Sequence, residues 1–229
     1  MSFTKKIIGV AAGVALIAGA GAMAATPASA AKPTIKGDTV IEVPMAIIQA
    51  AGAAGVAITP NAPASAEATM DAVGVVFPVT GPSMDGVLHH KGGLSLASSK
   101  TGITLTWDKP EITWATSGGD TAAITGVVGG IPAGSGFEQL NGQRAQVFTV
   151  TDFTIKNKPG KPKKSGGVWK RTDVQTLSGV VTVVDNPTVV QILNGLMGAE
   201  IFVAGMEFGA LGTAWGVTHT CKTKKACTA

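Results

Sequence analysis

The chain contains no tyrosine, two cysteines and three histidines. Few groups are therefore available for general acid–base work near neutral pH. The acidic residues stand singly along the chain, so no Asp/Glu/His cluster of the kind that holds a hard cation is visible. Gly81-Pro82-Ser83-Met84-Asp85-Gly86 is the nearest approach to a nucleophile elbow, and its second glycine comes one residue late. It also lacks a strand-to-helix setting, so it reads as a turn. Gly19-Ala20-Gly21 lies in an N-terminal apolar run and is not a phosphate cradle. These absences describe a protein that binds rather than catalyses.

The first thirty residues form an export signal. Lys5 and Lys6 precede an apolar run from Ile7 to about Met23, and Ala28-Ser29-Ala30 offers a small-residue cleavage site. The alternative is a retained anchor, but the run is Gly/Ala-rich and barely long enough to span. Cleavage would remove 30 of the 229 residues and leave one domain of 199, residues 31–229. It would also remove two lysines, lowering the formal charge from +4 to +2. No cysteine follows the run to carry a lipid, and no LPxTG-like sorting signal is found. Glu200 and Glu207 interrupt the C-terminal apolar region, so no transmembrane helix is expected in the mature chain. The expected location is secreted, at or near the exterior of the cell envelope. There Cys221 and Cys227 can oxidise to a small loop that pins the C-terminal tail. A metal site is the alternative, with only His219 nearby.

Alternation with a period of two dominates what is present. Leu94 and Leu96 alternate with small or polar residues, as do Ile103, Leu105 and Trp107, and then Ile112 and Trp114. Successive side chains on a strand leave opposite faces, so each run predicts a ribbon with one buried face. Gly92-Gly93, Ser98–Gly102 and Asp108–Pro110 read as the turns between them, which gives an antiparallel meander. Further strands are expected at Thr39–Val43, Ala72–Val79, Thr121–Val128, Arg144–Ile155 and Val168–Val184, the last with a bulge at Ser178-Gly179. Ile201–Val203, Met206–Phe208 and Ala214–Thr218 are short strand candidates. Gly55–Ala68, with Pro60 and Pro63, reads as loop. Helices are expected at Met45–Ala54 and Val189–Met197, the second with Asn186 as cap, Pro187 just inside and Gly198 as stop. The two strand–proline–helix segments echo each other and suggest corners closing opposite ends of a sheet stack. The predicted fold is an all-β, two-sheet antiparallel sandwich with one or two short helices at its ends.

Two features are candidates for binding. His89 and His90 are neighbours on a strand, so one faces the interior or a cleft and the other water. Each is a structural histidine or a ligand contact. Lys156, Lys158, Lys161, Lys163, Lys164, Lys170 and Arg171 place seven positive charges in sixteen residues. That segment is a solvated hairpin that discourages edge pairing, or a contact for an anionic polymer of the cell wall or envelope through Lys161, Lys163 and Lys164. Nucleic acid is not expected, because no aromatic platform is interleaved with the charges. Asp120, Asp152 and Asp173 read as turn and ladder-edge residues. The residues themselves call for no cofactor.

The segments FPVTG, DGVLHHKGGLSL, ITLTWDKPEI, VFTVTDFTI and PTVVQILNGLMGAEIFVAGMEFG resemble a group of exported actinobacterial proteins of unassigned function. More distantly, Gly86–Leu96, Asp108–Ile112 and Pro187–Phe208 resemble the HtaA-type domain of surface haem-uptake proteins. The resemblance implies a β-sandwich with small helices at its ends and a haem ligand, and it sets His90 opposite a family histidine near the haem site. It also implies an iron-ligating tyrosine near the N-terminus of the domain, and this chain has none.

Overall fold

The computed structural model describes residues 34–81, 86–115 and 119–228. The segment expected as an export signal and most of the Gly81–Gly86 turn lie outside the described residues. Among the described residues twelve strands form the fold: β1 (Thr34–Pro44), β2 (Val56–Asn61), β3 (Ser65–Ala68), β4 (Ala72–Pro78), β5 (Val87–His89), β6 (Gly93–Ser98), β7 (Thr104–Trp114), β8 (Ala122–Gly129), β9 (Arg144–Lys158), β10 (Lys163–Ser165), β11 (Val168–Val183) and β12 (Glu207–Cys221). Two helices accompany them, α1 (Met45–Ala53) and α2 (Pro187–Met197).

The expected two-sheet sandwich is replaced by one continuous sheet. Its order is β2-β6-β7-β8-β9-β11-β12-β1-β4-β3, with β5 paired to β7 and β10 to β11. The strands at the two ends of this order, β2 and β3, are sequence neighbours joined through residues 62–64. So short a link brings the two edges together, and the sheet is nearly closed like a barrel. The stretch read as loop supplies both edge strands. Pro60 pairs opposite Leu94 in β2, and an edge strand is where a proline without an N–H is tolerated.

The meander is present in altered form. The segment expected as two strands around an Asp108–Pro110 turn is a single strand, β7, whose register against β8 shifts between Asp108 and Glu111. The inserted residue explains why inward positions change parity from Leu105 and Trp107 to Ile112 and Trp114. Leu94, Leu105, Trp107 and Ile112 are buried, while Leu96, Ile103 and Trp114 are partly so. Val147, Phe148 and Val150 are buried in central β9, and β11 carries the expected irregularity between Ser178 and Val180. The C-terminal candidates resolve into one long strand, β12, and Ile201–Val203 is not a strand.

α2 begins as its sequence dictates. The Asn186 side chain accepts bonds from Thr188 N and Val189 N, Pro187 opens the helix, and Gly198 ends it with φ 62°. The placement of the helices corrects the expected corners. β1 and β11 both pair antiparallel with β12, so they run in the same direction. Their following helices therefore close the same end of the sheet. There Ala51 and Val56 join Leu105, Ile131, Leu196 and Met197 in one apolar cluster. Among the described residues no helix is long and apolar enough to cross a membrane.

Candidate functional site: a basic end opposite the helices

His89 and His90 face opposite ways. His89 is exposed, and its Nδ1 lies 3.0 Å from Glu111 Oε1, which also pairs with Arg144 Nη2 at 2.9 Å. His90 is 4% exposed. Its Nδ1 lies 3.1 Å from the Pro110 carbonyl, an acceptor only, so Nδ1 carries the proton and donates. Nε2 then accepts from the Thr39 hydroxyl at 2.6 Å, and Thr39 accepts in turn from Thr213 at 2.9 Å. Burial, offset in part by the Pro110 bond and reinforced by the neighbouring His89, lowers the pKa of His90 to about 4. The ring is neutral at pH 7, in agreement with this tautomer. The sequence leaves a cleft open for His90, whereas the structure sets it inside the sheet with both nitrogens engaged.

The Lys156–Arg171 segment is mostly regular. β9 extends through Lys156 and Lys158, and β10 pairs with β11 so that Lys163 stands opposite Lys170. Lys161, Lys163 and Lys164 are all exposed. The sequence reading missed the second contribution. β12 runs beside β11 until Cys221 pairs with Trp169, which carries Lys222, Lys224 and Lys225 to the same end. Nine exposed lysines gather there: Lys156, Lys158, Lys161, Lys163, Lys164, Lys170, Lys222, Lys224 and Lys225.

Several contacts hold this end in place. Cys221 and Cys227 form a disulfide across six residues, as expected from the sequence. Arg171 Nη1 donates to the Cys227 carbonyl at 2.6 Å, and Lys224 Nζ sits 5.8 Å from the Trp169 ring centroid. Asp173 is the acidic residue at the centre, and it is 7% exposed rather than a ladder-edge residue. It meets Arg171 at 3.0 Å and His219 at 3.4 Å and accepts from Gly160 N at 2.9 Å. Its charge is thus spent inside and does not offset the lysines outside. Local sequence shows the tail lysines in CKTKKAC, but only strand pairing brings them to the hairpin.

The helix end differs in character. Two apolar cavities of about 50 and 60 Å³ lie there, and both are lined by Ile58, Phe202 and Phe208. Asn194 on α2 fixes the segment between them, since its Oδ1 accepts from Ile201 N and Phe202 N and its Nδ2 donates to the Phe202 carbonyl. Among the described residues no group of three His, Cys, Asp or Glu side chains gathers as a metal site.

Comparison with solved structures fixes the architecture. The chain is similar to the haem-binding protein HtaB from Corynebacterium glutamicum, with a TM-score of 0.51 and 12% identity over 82% of this chain and 96% of that one. It shares the HtaB fold. The C-terminal domain of HtaA from the same organism also aligns, with a TM-score of 0.47 and 11% identity over 80% of this chain and 99% of that one. No family model and no curated protein matches the sequence. The distant HtaA-type resemblance read from the sequence thus reappears in the tertiary structure.

Neither of these two cavities nor the His90 ring fits an enclosed haem. No tyrosine exists to ligate iron, His90 has no free nitrogen, and cavities of about 50 and 60 Å³ are far below the several hundred Å³ of a cofactor pocket.

Proposed function

We infer that this is an exported, non-catalytic module that attaches to an anionic polymer of the cell envelope through its basic end. The observation that carries the reading is the convergence of nine exposed lysines from β9, β10, β11 and the tail, with Asp173 neutralised inside. Such a concentration of one sign attracts a polyanion over long range, and added salt screens it. The test is sedimentation with isolated cell walls across a salt series. Attachment at low salt that falls as salt rises, and that is weaker for Lys161→Gln/Lys163→Gln/Lys164→Gln, is expected. No attachment of the unmodified protein at low salt overturns the reading.

A haem-binding function is the second reading, favoured by the fold shared with HtaB. It would require surface ligation by His89 or His219, because His90 is engaged on both sides. Titration with haemin separates the two. No Soret shift at equimolar haemin is expected, and a saturable shift lost in His89→Ala would establish haem binding instead.

A further inference from the structure

The nine lysines do not surround the end evenly. Residues opposite one another on paired strands share a face, so the ladder registers assign each side chain to the outside or inside of the sheet. One row of directly opposed residues runs Lys36 (β1), Gly216 (β12), Val174 (β11), Lys158 (β9). Val174 is 43% exposed, so this row faces outward. The next row towards the tail holds Thr34, Thr218 and Thr172, and the one beyond it holds Thr220, Lys170 and Lys163. In the other direction lie Asp38, Ala214, Thr176 and Lys156. The floor is therefore Ala214, Gly216, Thr218 and Thr220 along β12 and Thr172, Val174 and Thr176 along β11, with Lys170 at its tail end. Lys156, Lys158 and Lys163 rise on one flank, from β9 and β10, and Lys36 on the other, from β1. Three strand spacings separate Lys36 from Lys158, about 14 Å across the trough. Asp38 closes the β1 flank on the helix side, so the positive potential opens towards the tail.

Gly216 at the centre has no conformational reason to be glycine. Its φ is not in the left-handed region, and an added Cβ would meet Thr172 Cγ2 at 3.2 Å, a contact that a small adjustment relieves. Glycine inside a strand weakens it, so its presence here leaves a surface stripped of side chain. We propose that this trough is the binding surface for one extended strand of a polyol phosphodiester polymer lying along β11 and β12. The proposal rests on the polyanion reading above and specifies the site and the chemistry. Lysine suits phosphate as a compact point charge. The Thr172 and Thr218 hydroxyls bond to each other at 2.9 Å, which leaves one proton of that pair and the Thr220 hydroxyl to donate to phosphate oxygens. No aromatic ring lies on the floor, so sugar or nucleobase rings have nothing to stack on.

The test measures binding of the full exported chain to a soluble glycerol-phosphate polymer and, in parallel, to poly-glutamate of equal charge. Three variants are compared: Lys36→Gln/Lys158→Gln, Val174→Glu, and Lys161→Gln/Lys164→Gln, whose lysines lie off the trough. Val174 is exposed and outward, so its replacement keeps the fold, and an unchanged melting temperature checks this. Loss of about tenfold or more in phosphate-polymer affinity is expected for the first two variants, with a smaller loss for the third and a weaker response to poly-glutamate. The slope of log affinity against log salt should also flatten by about two for Lys36→Gln/Lys158→Gln. If the unmodified protein binds the polymer while the first two variants match it, the trough is wrong and the basic-end reading stands. If poly-glutamate binds equally well, the phosphodiester assignment is wrong. If the unmodified protein binds neither polymer, both readings fall.

Discussion

At His90 an ionisable ring is sealed into the sheet, which makes its protonation a measure of folding. The folded pKa of about 4 lies below the ordinary value of 6.5, chiefly because burial penalises the charged ring. As pH falls, the unfolded chain takes up the proton first. The contribution to stability is fully present above pH 6.5 and is lost as pH falls through about 4, with an overall size of about 3 kcal/mol. Urea unfolding between pH 7 and pH 5 should show this decline, and His90→Ala should flatten it. At pH 7 the same variant should cost about 1–3 kcal/mol, because Thr39 and the Pro110 carbonyl lose a buried partner. An unchanged slope in His90→Ala would show that the ring is not the proton acceptor. His89, paired with Glu111 at the surface, should have little effect when replaced.

Among the elements, β7 shows how one inserted residue sets a local arrangement. Lys109 has φ 51°, a left-handed conformation that L-residues adopt at a cost of about 1–2 kcal/mol. The bulge lets the Pro110 carbonyl receive both His90 N at 2.9 Å and His90 Nδ1. Arg144 secures it from outside, with Nη1 donating to the Lys109 carbonyl at 3.0 Å. Lys109→Val, which brings a β-branched side chain into that conformation, should destabilise by about 1–2 kcal/mol, whereas Lys109→Gly should not. Chemical denaturation of the two variants side by side checks this. Equal stability would mean that the backbone relaxes out of the left-handed region. The period-two pattern had already recorded the bulge as a change of parity between Trp107 and Ile112. The same change is compatible with a turn, and only pairing with β8 distinguishes the two.

On the scale of the molecule, the sheet has two unlike ends. Both helices and the apolar cavities lie at one, and the disulfide, Asp173 and the lysines lie at the other. Cross-linking residues so close in sequence constrains little of the unfolded chain, worth about 2 kcal/mol in the chain-entropy picture. The twelve-stranded ladder does not depend on it. The native protein should show no reactive thiol until reductant is added. After reduction it should keep its far-ultraviolet circular dichroism and a single cooperative melt, shifted down by a few degrees. Loss of the cooperative melt on reduction would assign the bridge a role in holding the sheet itself.

The sequence by itself determined the strand content, the buried alternation, the capped second helix, the cysteine pair and the opposite facing of His89 and His90. Each of these follows from dihedral preference or side-chain periodicity over a few neighbouring residues. Near-closure of the sheet depended on where β2 and β3 pair, and their proline- and alanine-rich sequence carries no periodic signal of that. The shared end of the two helices follows from β1 and β11 both flanking β12, a relation between segments more than a hundred residues apart. The candidate site divides in the same way. The hairpin lysines were legible as a run, whereas Lys36, Gly216 and the tail lysines became part of one surface only through ladder register. Charge is written residue by residue, but a charged surface exists only once hydrogen-bonded strands fix which side chains stand side by side.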